Sequence, residues 1–196
     1  MAHLPTGAAA AAALLGIAGG AAILAAFIPD LPWTQEAFQL RIVLFNAGAI
    51  AIVVAVSRRQ SPQAPFSRAV AAATIVANAW YLVMVVLSIG RPQPPEADPE
   101  FRLVGFFAGA AMWLADAAFG AVALRDRSVA RPAALALALG SVLAFMGLDR
   151  LELSGGDLGW LVTPLSLLGI ALNGAAWILI GIELLRSDRA ARELAA

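Results

Sequence analysis

Six apolar stretches, each near the length that crosses a bilayer, take up almost all of this chain of 196 residues. They fall at 8–29, 39–57, 69–90, 103–124, 132–148 and 163–185. A hydrocarbon core of roughly 30 Å takes about 20 helical residues at 1.5 Å each, and a helix satisfies its own backbone there. The ionisable residues lie between the runs rather than along one face of each, as in membrane spans and unlike amphipathic soluble helices. With 61% hydrophobic residues and a mean hydropathy of +0.83, the expected fold is all-α. It is a six-helix transmembrane bundle forming one domain over 1–196. Short loops make consecutive helices antiparallel neighbours, giving three hairpins.

Local signals refine the ends. Pro132 and Pro164 each suit a first helical position, where a backbone N–H has no partner anyway, and Thr163 is placed to cap the sixth helix. Leu158 to Val162, with Trp160, would then lie in the interface. The first run resembles a signal peptide only superficially. Residues 1–7 hold His3 and no basic residue, so it is expected to stay as a span. Arg91 to Arg102, with Pro92, Pro94, Pro95 and Pro99, is expected to be an extended connector rather than helical.

Arginines set the orientation. Arg58, Arg59, Arg68, Arg125, Arg127, Arg131, Arg186, Arg189 and Arg192 share one side with the N-terminus, against Arg41, Arg91, Arg102 and Arg150 on the other. The positive-inside rule therefore places both termini in the cytoplasm of a multi-pass cell-membrane protein, in outline like many small bacterial inner-membrane proteins. Trp33 and Trp160 fit an outer aromatic belt. A faint repeat joins spans two and six, which read Asn46-Ala-Gly to Arg59 and Asn173-Gly-Ala to Arg186.

Absences close off much chemistry. The chain has no Cys, and all 13 of its basic residues are Arg, so it has no thiol and no Lys amine. Thiolate metal sites, disulfides and Schiff bases are excluded. The one histidine, His3, precedes the first span, which removes imidazole-held haem or zinc from the bundle. No cofactor is expected. A net charge of zero without a basic binding motif excludes nucleic acid as a partner.

Four spans carry an amide or acid near mid-depth: Asn46, Asn78, Asp116 and Asn173. Hydrocarbon gives such groups no partner, so they should face inward. Helical spacing groups Thr74, Asn78, Tyr81 and Val85 on one face. It also groups Gly109, Trp113, Asp116 and Gly120, and Ser166, Asn173 and Trp177. The asparagines are expected to make interhelical hydrogen bonds or to line a small ligand cavity with Tyr81, Trp113 and Trp177. Asp116 has no basic residue at its depth within the spans to pair with, so it should be neutral and hydrogen-bonded, to Asn46 or Asn173. It is either a packing group or a proton acceptor, cation contact or ligand anchor.

Other features have plainer readings. Trp80, Trp113 and Trp177 are expected in the core, and Glu183 in a helical ion pair with Arg186. Gly16 with Gly20, and Gly105 with Gly109, let helices approach closely, within the bundle or between copies. No span carries an acid–base pair or nucleophile, so an enzyme is not expected. The sequence favours a noncatalytic accessory component that binds another membrane protein, itself, or an apolar or lipid ligand through its small-residue and aromatic faces. The alternative is a small carrier or channel for a proton, cation or small solute that uses Asp116.

Overall fold

A computed structural model describes residues 7–25, 35–59, 64–89, 99–153 and 159–193. Among these residues the chain forms six helices and no strand: α1 (Ala8–Leu24), α2 (Gln35–Ser57), α3 (Pro65–Ser88), α4 (Pro99–Asp126), α5 (Arg131–Leu153) and α6 (Gly159–Glu193). Four hold apolar segments long enough to cross a membrane: Ala37–Ser57, Pro65–Ser88, Leu103–Asp126 and Pro164–Ala190. The apolar helix Ala8–Leu24 and the apolar part of α5, Arg131–Met146, are shorter. The chain is a helical membrane protein.

Each helix packs on the next in sequence, α6 returns to pack on α1, and α2 also touches α6. The contacts run in opposite senses along neighbouring helices. Gly16 lies against Ile52 while Gly19 lies against Leu44, and Gly20 meets Gly174 while Gly181 meets Ala13. On α3 and α4, Met84 is beside Gly105, Tyr81 beside Gly109, and Thr74 bonds at Ala115. Close approach is clearest between α5 and α6. A Cβ on Gly140 would stand 2.7 Å from the Asn173 backbone nitrogen and 2.8 Å from the Gly169 carbonyl oxygen. Only a residue without a Cβ lets the two backbones come so near.

One end of the bundle is rich in arginine and tied across helices. Ser67 donates to Asp126, which also receives Arg125 Nε at 2.8 Å. The Arg125 guanidinium lies 5.2 Å above the Phe66 ring centre. Arg59 Nη1 donates to Ser187 Oγ at 2.6 Å. α4 stops because Arg127 takes a left-handed conformation, φ 53°, which lets the Ser128 N–H reach back to the Ala123 carbonyl at 3.1 Å. The turn is then pinned to α6, as Glu183 accepts from the Ala130 N–H at 2.8 Å. Glu183 therefore serves the α4–α5 turn rather than the expected pair with Arg186. A backbone N–H that lies beyond helical bonding offers it a fixed partner.

Helix ends differ from the sequence expectation near prolines. α3 opens at Pro65 and α4 at Pro99, each proline taking the first position. Residues 99–102 are accordingly helical rather than extended, and residues 90–98 lie outside the described residues. α6 starts at Gly159, which places Pro164 inside the helix rather than at its first position. As the sixth residue of α6, it forfeits one i→i−4 bond of the second turn. The region of Trp160 is thus helical, whereas Trp33 lies outside the described residues. α1 ends at Leu24, and residues 26–29 of the expected span also lie outside.

Candidate functional site

The mid-depth polar residues are fully enclosed. Asn46, Asn78, Asp116 and Asn173 are all 0% exposed, as are Thr74 and Ser141. Five of the six helices contribute to this layer, since α2 brings Asn46, α3 Thr74 and Asn78, α4 Asp116, α5 Ser141 and α6 Asn173. The faces expected from helical spacing all turn inward. Val85, Gly109, Trp113, Gly120, Ser166 and Trp177 are buried, and Tyr81 is half-buried against the core beside Gly109.

Asp116 is held chiefly from α3. Asn78 Nδ2 donates to its Oδ1 at 2.8 Å and to the Thr74 carbonyl at 3.0 Å. Thr74 Oγ1 in turn donates to the Val70 carbonyl at 2.9 Å and reaches the Ala115 carbonyl at 3.1 Å, which fixes the backbone next to Asp116. Asn173 is a second amide neighbour of the Asp116 carboxyl. Its Nδ2 donates to Ser141 Oγ at 2.7 Å, and the Ser141 hydroxyl donates in turn to the Leu137 carbonyl at 2.7 Å. Asn46 differs from the expectation. Its Nδ2 turns back to the Ile42 carbonyl of its own helix at 2.8 Å, so it is not the partner of Asp116. Of the side-chain amide only the NH2 can donate to a carbonyl, which leaves Oδ1 facing the opposite way.

Aromatic rings frame the layer. Trp177 stacks on Phe119, with centroids 6.3 Å apart and planes at 18°, which links α6 to α4. Trp113 meets Phe45 at 6.2 Å and links α4 to α2. Such pairs add about 0.5–1.5 kcal/mol beyond the area they bury. Trp80 is the exception among the deep tryptophans. It is 41% exposed, in line with Val76, Val83 and Leu87 on the outer face of α3. Most of the indole is apolar and lipid is as apolar as the core, so depth alone did not force it inward.

Hydrogen-bonding capacity left over inside the layer defines its chemistry. The Oδ1 atoms of Asn46, Asn78 and Asn173 and the Oδ2 of Asp116 are buried acceptors without a partner, and the Nε1 groups of Trp113 and Trp177 are buried donors without one. Acceptors thus outnumber donors. A single unmatched buried polar group costs about 1–3 kcal/mol, so a set of them in one layer calls for an explanation. No basic side chain appears among the buried polar residues of the layer. The Asp116 carboxyl is therefore electrically balanced only when it holds a proton or a cation. Oxygen acceptors of carboxylate and amide type suit a hard cation or a protonated donor. Among the described residues no three His, Cys, Asp or Glu side chains converge on a metal position.

Comparison with protein-family models, curated proteins and solved structures finds no match. The reading of this layer therefore rests on its own geometry.

Sequence reasoning missed Ser141 as the partner of Asn173, and Gln39, which is buried in α2 and donates to Ser88 Oγ of α3 at 3.0 Å. A serine bonded to its own helix costs little in an apolar run and raises no alarm in a sequence. Gln39 stands one turn from the apolar boundary, where an amide is unremarkable.

Proposed function

We propose that this chain is a multi-pass membrane protein, both termini cytoplasmic, that binds a proton, small cation or compact hydrogen-bond-donating solute between its helices as a small carrier or channel. Asp116 is the anchor, with Asn78 and Asn173 as its neighbours and Trp113 and Trp177 as walls; Asn46 and Tyr81 lie at the margin of the site. The observation that carries the reading is the enclosed carboxyl with one oxygen unpartnered and no basic residue in its layer. No nucleophile or acid–base pair accompanies it, so the proposed role is noncatalytic.

The test is ion flux in proteoliposomes containing the full chain, driven by a pH gradient or by sodium or potassium. Wild type is expected to dissipate one of these gradients, and Asp116→Asn, folded by the same thermal-melt criterion, is expected to lose that flux at least tenfold. Equal flux in both proteins would remove Asp116 as the coupling group, and no flux in either would overturn the carrier reading.

A second reading keeps the chain as an accessory component that binds a partner membrane protein or a second copy. It draws on the exposed stripe of Val76, Trp80, Val83 and Leu87 on α3, which has coiled-coil spacing. It ranks lower because the small-residue faces it invoked are occupied within the bundle. Gly16 and Gly19 face α2, and Gly20, Gly174 and Gly181 form the α1–α6 contact. A stoichiometric partner retained on purification in mild detergent, and lost on Trp80→Ala, would move this reading ahead.

A further inference from the structure

A groove of about 450 Å³ lies between the start of α1 and the last turns of α6, lined by Ala10, Ile182, Leu185, Arg186, Asp188 and Arg189. Its position is set by the sequence of α6. In α6 the apolar residues run on to Leu185, past Glu183, and the arginines begin at Arg186, so the groove lies at the end of the helix where a hydrocarbon layer would give way to head groups. Arg186 and Arg189 are three residues apart and so project from one face of the helix. Both are exposed, and neither has an ion-pair or hydrogen-bond partner among the described residues. Below them Ile182, Leu185 and Ala10 offer an apolar wall.

The same end of the bundle gathers Arg58, Arg59, Arg125, Arg127 and Arg131, so its field favours an anion. Among the described residues Asp188 is the one carboxylate lining the groove, and it has an interaction of its own. Two guanidiniums against one acid leave the mouth net positive. A guanidinium binds phosphate oxygens in a fork of N–H donors, and its charge is best matched by a head group of net negative charge.

A second groove on the other side of α1, lined by Ala8, Leu15, Ala51 and Val54 among others, has no charged residue among the described residues of its lining. It offers the apolar half of this arrangement without the anion-binding half.

We propose that the α1–α6 groove seats an anionic phospholipid, with its phosphate held by Arg186 and Arg189 and the top of an acyl chain lying on Ala10, Ile182 and Leu185. The site is independent of Asp116 and sits at a different level of the bundle. Its consequence is that a lipid bridges α1 to α6, the contact that brings the last helix back to the first.

The test is native mass spectrometry of the full chain released from detergent with phosphatidylglycerol, phosphatidylcholine or inorganic phosphate. Phosphatidylglycerol is expected to remain bound at one copy per chain, and R186Q/R189Q is expected to weaken it about thirty-fold, the worth of two basic side chains at an anionic surface. R127Q/R131Q removes the same charge from the same end away from the groove, and is expected to weaken binding less than threefold. Equal loss in the two double variants would overturn the site in favour of a diffuse electrostatic effect. Equal retention of phosphatidylcholine would overturn the role of charge. Competition by inorganic phosphate alone at the same concentration would overturn the lipid as occupant.

Discussion

Asn78 and Asn173 look alike in the sequence, yet they do different work. Asn78 spends its amide on Asp116 and on the turn below it, whereas Asn173 spends a proton on Ser141, which is already satisfied through Leu137. Replacing Asn78 with Leu strips a buried carboxyl of its donor, a loss of about 1–3 kcal/mol and more for a charged group. Replacing Asn173 with Leu breaks an interhelical bond nearer the average of about 0.6 kcal/mol measured within membranes. Thermal melts in detergent should therefore place Asn78→Leu below Asn173→Leu, and the reverse order would mean that α6, not α3, holds Asp116. Depth and polarity made both residues visible in the sequence. Which of them touches Asp116 was not visible, because that depends on the rotation of α3 against α4.

At the level of the helices, the glycines decide how near neighbours come. The GxxxG spacing in α1 pointed to close packing and left open whether the partner was internal. Internal packing uses Gly16 and Gly20, while Gly105 of the second motif meets nothing nearer than Met84 Cε at 4.0 Å. The motif alone could not separate these cases, since a helix face has meaning only against what covers it. Gly140→Ala would drive a methyl into two backbones and is expected to cost about 1–3 kcal/mol as overpacking. Gly105→Ala has room and is expected to gain up to about 1 kcal/mol of helix propensity. The two melts should move in opposite directions, and parallel shifts would contradict the assigned packing. Helix extents were largely legible from hydropathy. Their ends were not, because a proline reads equally as the start of a helix or as the limit of a loop until its neighbours are placed.

For the whole molecule, the arginine-rich end gathers the start of α1, α3 and α5 with the finish of α2, α4 and α6. The proposed topology has the chain cross a bilayer six times, with the shorter apolar helices α1 and α5 supported by longer neighbours. The absence of cysteine makes the topology direct to read, since each introduced thiol is the only one. Arg127→Cys should react with an impermeant maleimide only from the cytoplasmic face, and Gln93→Cys only from the opposite face. Labelling of both from one side would refute six crossings. The charge pattern of the loops carries the proposed orientation; the closure of α6 onto α1 had no counterpart in the sequence, because contacts between the chain's extremes leave no local pattern.

The central claim is that the enclosed carboxyl of Asp116 exchanges a proton or cation between the helices. Infrared difference spectroscopy of the reconstituted protein, recorded between acidic and alkaline buffer and then with and without sodium, reads that carboxyl directly. Wild type should give a protonated-carboxyl band that disappears on proton loss or cation binding, and Asp116→Asn should lack it. Identical difference spectra from the two proteins would mean that Asp116 is an inert packing group.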